Sequence, residues 1–444
     1  MKTYQEIVDY IYGIPKFTKK NTQNDTRLFY AFLKKPGIKQ KIIHVAGTNG
    51  KGSVCAYVNQ ILVESGCSVG MFTSPHLVHI EERFQMNGEQ INREKFVELF
   101  MYILEKIKTY QKTNPDYFPT FFEFLFFMAM QYFENQKTMF IILETGLGGR
   151  LDATNIIEEP LVCVITKIGL DHTEYLGNSI SQIASEKAGI IKKNVPVVYW
   201  NENENVNTVI EAKAGKENAK LYPINQKNVK IVKNRDKKID FSYNSSYYKD
   251  MYCKLDTKAF YQVENALIAI KVFEAIHEVI SIKTRKIQIG LLKTKWPGRM
   301  EEIAPNIYLD GAHNVDGIKA MLQGIQFEKG EKNILLFSVV NDKKYEDMIF
   351  ELCKAKVFTC VCITKIPGER GIETEILKEI FNKYGEADIF VIDNAKDAYQ
   401  YCIEQKRKDQ KIHSLYVTGS LYLIGLIKEI VEENKPDLNV EELT

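Results

Sequence analysis

A glycine-rich turn between an apolar strand and a helix is the feature that most constrains this chain. Lys41–Ala46 predicts a buried strand, and Val54–Glu64 has the spacing of an amphipathic helix. The turn between them contains Gly-Thr-Asn-Gly-Lys-Gly-Ser over residues 47–53. Glycines let backbone N–H groups approach an anion, and a helix N-terminus adds partial positive charge. The turn therefore predicts a nucleoside-triphosphate site in an α/β fold.

Two side chains of this turn strengthen that prediction. Lys51 supplies a full positive charge, and the hydroxyl of Ser53 is a ligand for Mg²⁺. The alternative is a glycine-rich turn that binds nothing, and the lysine and serine favour the phosphate site over it. We expect ATP contacts from every residue of the turn: Gly47, Thr48, Asn49, Gly50, Lys51, Gly52 and Ser53.

The turn resembles the ATP loop of the Mur ligase superfamily. The glycine before its serine, Gly52, makes it resemble the form of this loop in the folylpolyglutamate synthase/dihydrofolate synthase branch. Residues 144–155 resemble that family's long motif E-x-G-L-G-G-R-L-D-A-T-N. Shorter family strings follow in order: D-H-x-x-x-L-G at 171–177, E-K-A-G-I at 186–190, Q-x-x-N at 262–265 and T-G-S-L-Y at 418–422. The resemblance implies an N-terminal phosphate-loop ATPase domain of the Mur ligase type and a C-terminal Rossmann-like α/β domain.

Composition limits the partners and the compartment. The chain has 444 residues, 45% of them apolar and 26% charged, which is typical of a globular protein. A net charge of +2 argues against a nucleic-acid partner. Eight cysteines without a C-x-x-C pair and an N-terminus without an apolar signal region favour the cytoplasm. The most apolar run, Phe121–Phe133, is too short to span a bilayer and predicts a buried helix. We expect a cytoplasmic monomer with no membrane partner.

Strand and helix patterns alternate along the chain, which predicts an α/β class with mainly parallel sheets. A polar, lysine-rich stretch at 225–255 predicts antiparallel hairpins at the sheet edge. A linker at 293–301 leads to a second α/β domain, so we expect domains at 1–295 and 296–444. The predicted strands are 41–46, 68–73, 139–144, 161–166, 195–200, 306–310, 333–339, 360–364, 389–392 and 414–418.

Three residues near strand ends are candidate Mg²⁺ ligands besides Ser53. Glu144 ends an apolar strand, where its carboxylate either reaches a metal or caps the next turn. His172 is an unusual Mg²⁺ ligand because hard cations prefer oxygen, so chemistry alone favours a capping or hydrogen-bonding role. The family resemblance implies a metal role for both residues and for Ser74.

Lys187 lies in the E-K-A-G-I string. Without that context it is a surface charge on a helix. The resemblance implies a carbamoylated lysine, whose anionic oxygens would hold a second Mg²⁺. Carbamoylation requires a neutral amine, which burial favours.

The resemblance assigns further nucleotide contacts. Asn265 of the Q-x-x-N string is expected to contact adenine, and Arg299 to approach the ATP phosphates. Asp310 resembles a nucleotide-contacting aspartate, and His313 a catalytic residue facing the cleft between the domains. Taken alone, the arginine could form a surface salt bridge, and the other two could be turn formers.

Acceptor contacts are implied by two strings and one loop. Thr120 and Phe122 lie in a segment similar to the family's T-x-F-E, and Asp152 and Ala153 in the long motif; in bifunctional relatives these regions bind pterin. Arg83 resembles a residue of a flexible loop. Plain core packing is the alternative for the phenylalanine. The family's early G-L-x-R pattern is replaced here by Asp-Thr-Arg-Leu at 25–28.

The resemblance implies an ATP-dependent amide ligase that adds L-glutamate to a reduced folate, to 7,8-dihydropteroate, or to both, through an acyl phosphate. Lys51, Lys187 and His313 are its expected catalytic residues, with two Mg²⁺ ions as cofactors. A Mur-type ligase acting on a UDP-sugar peptide is the nearest alternative, and Gly52 with the L-G-G-R-L-D string argues against it. A phosphate-loop NTPase switch is the alternative from another class, and it predicts ATP turnover without an acceptor.

Overall fold

The chain forms two compact units, described here from a computed structural model. The structure describes residues 3–15, 22–235, 237–325, 332–368, 370–409 and 411–433. Unit 1 comprises the residues up to Asp256 together with Gln262–Lys295. Unit 2 comprises Thr257–Tyr261 and the residues from Trp296 onwards. Its first segment comes from the stretch that sequence analysis placed in the first domain.

Unit 1 is built on an eight-stranded sheet of order β4-β3-β2-β5-β1-β6-β7-β8. The six neighbouring strands β2, β5, β1, β6, β7 and β8 run parallel to one another. Strand β3 is antiparallel to both of its neighbours, β2 and β4. The carboxyl ends of the parallel strands therefore meet at one edge, where α/β folds bind ligands. The strands are β1 (Lys41–Ala46), β2 (Val69–Phe72), β3 (Phe84–Met86), β4 (Glu89–Gln90), β5 (Phe140–Glu144), β6 (Val162–Ile165), β7 (Val197–Trp200) and β8 (Leu221–Ile224).

Helices cover both faces of this sheet, and the aromatic helix at 121–135 is buried in the largest core cluster. Its N-terminus is fixed by Thr120, whose hydroxyl accepts from the N–H of Glu123 in a capping box. Among the described residues, no helix is both long and apolar enough to cross a membrane. The helices of this part are α1 (Tyr4–Tyr12), α2 (Gln23–Phe32), α3 (Lys51–Glu64), α4 (Arg93–Tyr110), α5 (Phe121–Asn135), α6 (Thr173–Leu176), α7 (Ile180–Ala188), α8 (Glu204–Lys216), α9 (Tyr261–Ala275) and α10 (Thr284–Lys293).

The lysine-rich stretch forms a separate three-stranded antiparallel sheet of β9 (Val229–Arg235), β10 (Lys238–Tyr243) and β11 (Met251–Leu255). The prediction of antiparallel strands is confirmed, but their predicted place at the edge of the main sheet is wrong. Alternate residues of β11 are buried, and this strand packs on α10. Tyr243 of β10 donates to the buried carboxylate of Glu274 on α9 at 2.8 Å.

Unit 2 is built on a six-stranded sheet of order β12-β13-β17-β14-β15-β16, parallel apart from β12. This is the predicted second α/β fold, and each strand predicted in the chain overlaps an observed strand. Its strands are β12 (Glu301–Ala304), β13 (Ile307–Leu309), β14 (Lys332–Phe337), β15 (Phe358–Ile363), β16 (Asp388–Val391) and β17 (Ile412–Thr418). Its helices are α11 (Val315–Ile325), α12 (Tyr345–Lys354), α13 (Thr374–Tyr384), α14 (Ala395–Lys408) and α15 (Leu421–Glu433).

Candidate active site

The glycine-rich turn joins β1 to α3 in a conformation that only glycine adopts easily. Gly50 has φ +88° and Gly47 has φ +153°. A Cβ atom on Gly50 would overlap Oδ1 of Asn265, and one on Gly47 would overlap Oγ1 of Thr166. Both the backbone conformation and the neighbours therefore require glycine at these two positions.

Thr48 and Asn49 use their backbone groups to fix the turn. Their N–H groups donate to the carbonyl of Lys167 at 3.0 and 3.1 Å, and Oγ1 of Thr166 donates to the carbonyl of Asn49 at 2.8 Å. The first N–H groups of a helix have no acceptor within the helix. The donors best placed for a phosphate are therefore those in the first turn of α3, which begins at Lys51.

Lys51 and Glu144 meet at the carboxyl ends of β1 and β5, which are neighbours in the sheet. Lys51 Nζ lies 3.8 Å from Glu144 Oε1, and the N–H of Ser74 donates to Glu144 Oε2 at 3.1 Å. The carboxylate is buried, and Ser74 connects it to the loop after β2. The structure thus brings three residues of the predicted site together.

The donor atoms at this place fit Mg²⁺. Ser53 supplies a buried hydroxyl, which accepts from Gln262 Nε2 at 3.3 Å, and Glu144 supplies a carboxylate. No group of three or more His, Cys, Asp or Glu in the described parts of the chain could hold a metal ion. This is compatible with Mg²⁺, which proteins often hold through one or two carboxylates while substrate phosphates complete the shell.

Lys187 on α7 is buried against the glycine-rich turn, where its Nζ donates to the carbonyl of Gly47 at 2.8 Å. Burial and the nearby charge of Lys51 together lower the pKa of Lys187 to about 7, against opposing effects of Asp171 and Asp152. A substantial fraction of this amine is therefore neutral near pH 7. The reading of this lysine as a surface charge is wrong.

His172 precedes α6 with φ +51°, and its N–H donates to Asp171 Oδ1 at 2.9 Å. Its side chain is 38% exposed, and Nε2 lies 4.0 Å from Asp171 Oδ2. The ring therefore lies near a carboxylate in the loop after β6.

Two residues of the Q-x-x-N string, near the start of α9, contact the glycine-rich turn. Asn265 Nδ2 donates to Gln262 Oε1 at 3.0 Å, and both side chains are buried. Asn265 contacts Gly50, while Gln262 contacts Ser53. Sequence analysis assigned a role to Asn265 alone. The signal that could have identified Gln262 is its place as the first residue of the same string. An adenine contact of Asn265 stays a prediction.

The predicted acceptor residues lie around the loop after β5. Asp152 Oδ2 accepts from the N–H groups of Gly146 and Leu147 at 2.8 and 3.0 Å, and Ala153 follows it in a short 3₁₀ turn. Burial raises the pKa of Asp152, although these hydrogen bonds oppose the rise. Phe122 is half-buried, and a Cβ atom on Gly146 would lie 2.8 Å from its ring.

Two further acceptor candidates already have structural contacts. The hydroxyl of Thr120 donates to Glu123 Oε2 at 2.8 Å in the cap of α5. Arg83 is buried, and its Nε donates to Nδ1 of His76 at 2.8 Å. Both side chains therefore have structural contacts within the protein, and their predicted contacts with the acceptor stay predictions.

Unit 2 has its own polar cluster at the carboxyl end of β13. Asp310 Oδ2 accepts from the hydroxyl of Tyr261 at 2.6 Å and from the N–H of Met300 at 3.0 Å. Burial raises the pKa of Asp310, and Arg299 opposes that rise. His313 Nδ1 lies 2.7 Å from the carbonyl of Gly311, which only accepts, so this nitrogen carries the hydrogen.

Two protein-family models and several known proteins match this chain. Residues 45–273 match the Mur ligase middle domain, and residues 298–421 match the Mur ligase, glutamate ligase domain. The chain is 32% identical to a Bacillus subtilis dihydrofolate synthase/folylpolyglutamate synthase, over 96% of this chain and 98% of that protein. The chain belongs to the folylpolyglutamate synthase/dihydrofolate synthase family of Mur ligases.

Solved structures of this ligase family share the fold over nearly the whole chain. The Thermotoga maritima folylpolyglutamate synthase has a TM-score of 0.82 at 31% identity, covering 97% of each chain. The Mycobacterium tuberculosis folylpolyglutamate synthase, complexed with ADP and AMPPCP, has a TM-score of 0.86 at 26% identity, covering 96% of this chain and 98% of that one. The predicted family, fold class and ligase activity are confirmed, and the UDP-sugar and switch alternatives are not favoured.

Proposed function

We propose that this ATP-dependent ligase joins L-glutamate to a reduced folate, to 7,8-dihydropteroate, or to both, through an acyl phosphate. The observation that carries the proposal is the contact of Lys51 with Glu144 beside a glycine-rich turn, in a chain of this ligase family. A carboxylate is a poor acyl donor because its leaving group is oxide. Transfer of the γ-phosphoryl group to the carboxylate replaces oxide with phosphate as the leaving group.

Phosphoryl transfer depends mainly on positioning and on charge stabilisation. We assign the turn at 47–53 to the phosphates, with Lys51 and the first amides of α3 opposite the transferred group. Ser53, Ser74 and Glu144 would hold Mg²⁺, which neutralises phosphate charge when bound, and His172 would hold a second Mg²⁺ together with Lys187. We also assign Asn265, Arg299 and Asp310 to the nucleotide.

Lys187 is proposed to be carbamoylated and to hold a second Mg²⁺ through the carbamate. Support comes from its burial and its lowered pKa of about 7, because only a neutral amine reacts with CO₂. Mass spectrometry of the intact protein in bicarbonate buffer at pH 8 should show the mass of one added CO₂. The Lys187→Ala variant should show no addition and should regain part of its activity with short carboxylates.

The second step is attack of the α-amine of glutamate on the acyl carbon, which forms the amide and releases phosphate. The attacking ammonium must first lose a proton. We assign this proton to His313, the expected catalytic histidine of unit 2. Water would hydrolyse the acyl phosphate, so the amine must be bound close to the carbon before activation.

The decisive experiment offers each acceptor separately. Purified protein is incubated with Mg-ATP, L-glutamate and either 7,8-dihydropteroate or tetrahydrofolate, and products are identified by mass. We expect one glutamyl addition, with one ADP formed for each amide. Steady ATP turnover without any acceptor, and no glutamylated product, would instead support the NTPase alternative.

We further infer a cytoplasmic monomer that takes neither nucleic acid nor a membrane as partner. The near-neutral net charge and eight cysteines, all free in the structure, support this inference. Light scattering of the purified chain should give a mass of about 51 kDa, as calculated from the sequence.

A further inference from the structure

Tyr12 is an exposed aromatic residue that is held in place through both its ring and its hydroxyl. Its ring stacks nearly parallel on Phe121, with centroids 6.0 Å apart and an interplanar angle of 12°. Its hydroxyl lies 2.9 Å from Nε2 of His76. The residue is nevertheless 49% exposed. A half-exposed aromatic ring whose position is fixed in this way offers surface for stacking a flat ligand.

His76 is fixed in turn by a buried arginine. Arg83 Nε donates to His76 Nδ1 at 2.8 Å, and the guanidinium carbon lies 5.4 Å from the Phe121 ring centroid. A guanidinium only donates, so Nδ1 accepts and the ring hydrogen is on Nε2. His76 therefore donates to the Tyr12 hydroxyl. Each of the four residues Tyr12, His76, Arg83 and Phe121 contacts two of the others, and we call them the Tyr12 cluster.

The loop that carries His76 is rigidly attached next to the phosphate site. The carboxylate of Glu82 accepts from the N–H groups of the three residues at 77–79, at 2.7 to 2.8 Å. Two residues before His76, the N–H of Ser74 donates to Glu144. The Tyr12 cluster therefore lies at the carboxyl end of β2, beside the strand that carries Glu144.

We propose that Tyr12 binds the acceptor, presenting its ring to the flat aromatic part of a folate or dihydropteroate, and that His76 and Arg83 position it. This inference rests on the proposed function and adds residues to it. The acceptor carboxylate must reach the γ-phosphate beside Lys51 and Glu144, so its aromatic rings lie within one molecule's length of that point. Phe122, the predicted acceptor residue that follows Phe121 in α5, lies against Gly146 of the loop after β5.

The test is acceptor affinity, measured by calorimetry so that no turnover is needed, together with KM for acceptor and for ATP. Tyr12→Leu removes the ring and should weaken acceptor binding about tenfold, with KM for ATP unchanged. Tyr12→Phe keeps the ring and should retain most of the affinity. His76→Ala should weaken acceptor binding about threefold, and His76→Gln, which again offers one acceptor and one donor, should restore it.

The matched control is Tyr102→Leu, the same exchange at a tyrosine on α4 that is 36% exposed, and it should leave acceptor affinity unchanged. Wild-type acceptor affinity in Tyr12→Leu, or an equal loss of affinity for Mg-ATP, would overturn the inference. If Tyr12→Leu does not fold, wild-type affinity in His76→Ala overturns it instead. A wild-type protein that binds the acceptors but makes no glutamylated product would refute the proposed function, while the binding comparison still decides the role of Tyr12.

Discussion

Single charged residues at the phosphate site have environments that their sequence positions do not reveal. Lys51 and Lys187 both belong to recognisable strings, yet one contacts a carboxylate and the other a backbone carbonyl. The same residue type therefore serves as a charge in one place and as a largely desolvated amine in the other. The environments of the two amines lead to different experiments.

Lys51→Ala should abolish ligation while leaving the fold intact, because Lys51 is the full positive charge of the proposed phosphate site. Loss of one preorganised charge or donor opposite a transition state costs roughly a hundredfold or more in kcat. Steady-state kinetics and circular dichroism provide the measurement. The control is Lys293→Ala, which removes an exposed lysine paired with Glu64 and should leave kcat unchanged. Near-normal turnover in Lys51→Ala would refute the assigned phosphate site.

Lys187 should make stability depend on pH in a defined window. Its pKa is about 7 in the folded chain and 10.5 ordinarily, so unfolding takes up a proton between these values. Stability contributed by this residue therefore rises as pH increases from 7 towards 10.5. In CO₂-free urea unfolding, wild type should gain stability over Lys187→Met between pH 7 and pH 9. The exposed Lys293→Met serves as control, and parallel pH curves for wild type and Lys187→Met would contradict the assignment.

At the scale of elements, periodicity predicted the strands well because each is a short apolar run bounded by turn residues. β1 was predicted with its observed bounds, and the aromatic run of α5 was recognised as a buried helix. The three-stranded sheet was misplaced because alternation predicts a half-buried strand and carries no information about which sheet it joins. The contact of Thr166 with the glycine-rich turn was also missed, since packing across distant segments has no local pattern.

The glycine-rich turn should tolerate alanine less well than a glycine elsewhere with the same backbone. Gly50 (φ +88°) and Gly66 (φ +82°) both have left-handed backbone, which costs a non-glycine residue about 1–2 kcal/mol. At Gly66 a Cβ atom meets nothing within 4 Å, whereas at Gly50 it overlaps Asn265. Gly50→Ala should therefore lower both the melting temperature and the ATP affinity more than Gly66→Ala. Equal effects of the two exchanges would show that the contact with Asn265 is unimportant.

At the scale of the whole molecule, two compact units with separate cores form one chain. Apolar clusters around α5 and α7 belong to unit 1, and the cluster around β14 and β15 belongs to unit 2. Family motifs predicted both α/β folds from the sequence, and the strings at 144–155 and 418–422 begin where a strand of each sheet ends. They gave no indication that Thr257–Tyr261 packs with unit 2, where Lys258 Nζ donates to the hydroxyl of Tyr416 at 2.6 Å.

The chain has two tryptophans, one in each unit, so ligand binding and unfolding can be assigned separately. Trp200 is buried in β7 of unit 1, and Trp296 begins the second segment of unit 2. In Trp296→Phe, fluorescence reports unit 1, where the glycine-rich turn lies. A ligand at 100 times its Kd stabilises the protein by about 2.7 kcal/mol, so Mg-ATP should raise this unfolding midpoint in proportion to the logarithm of its concentration. Adding Lys51→Ala should remove the shift, and a midpoint unaffected by Mg-ATP in a catalytically active Trp296→Phe protein would contradict the placement of the phosphate site in unit 1.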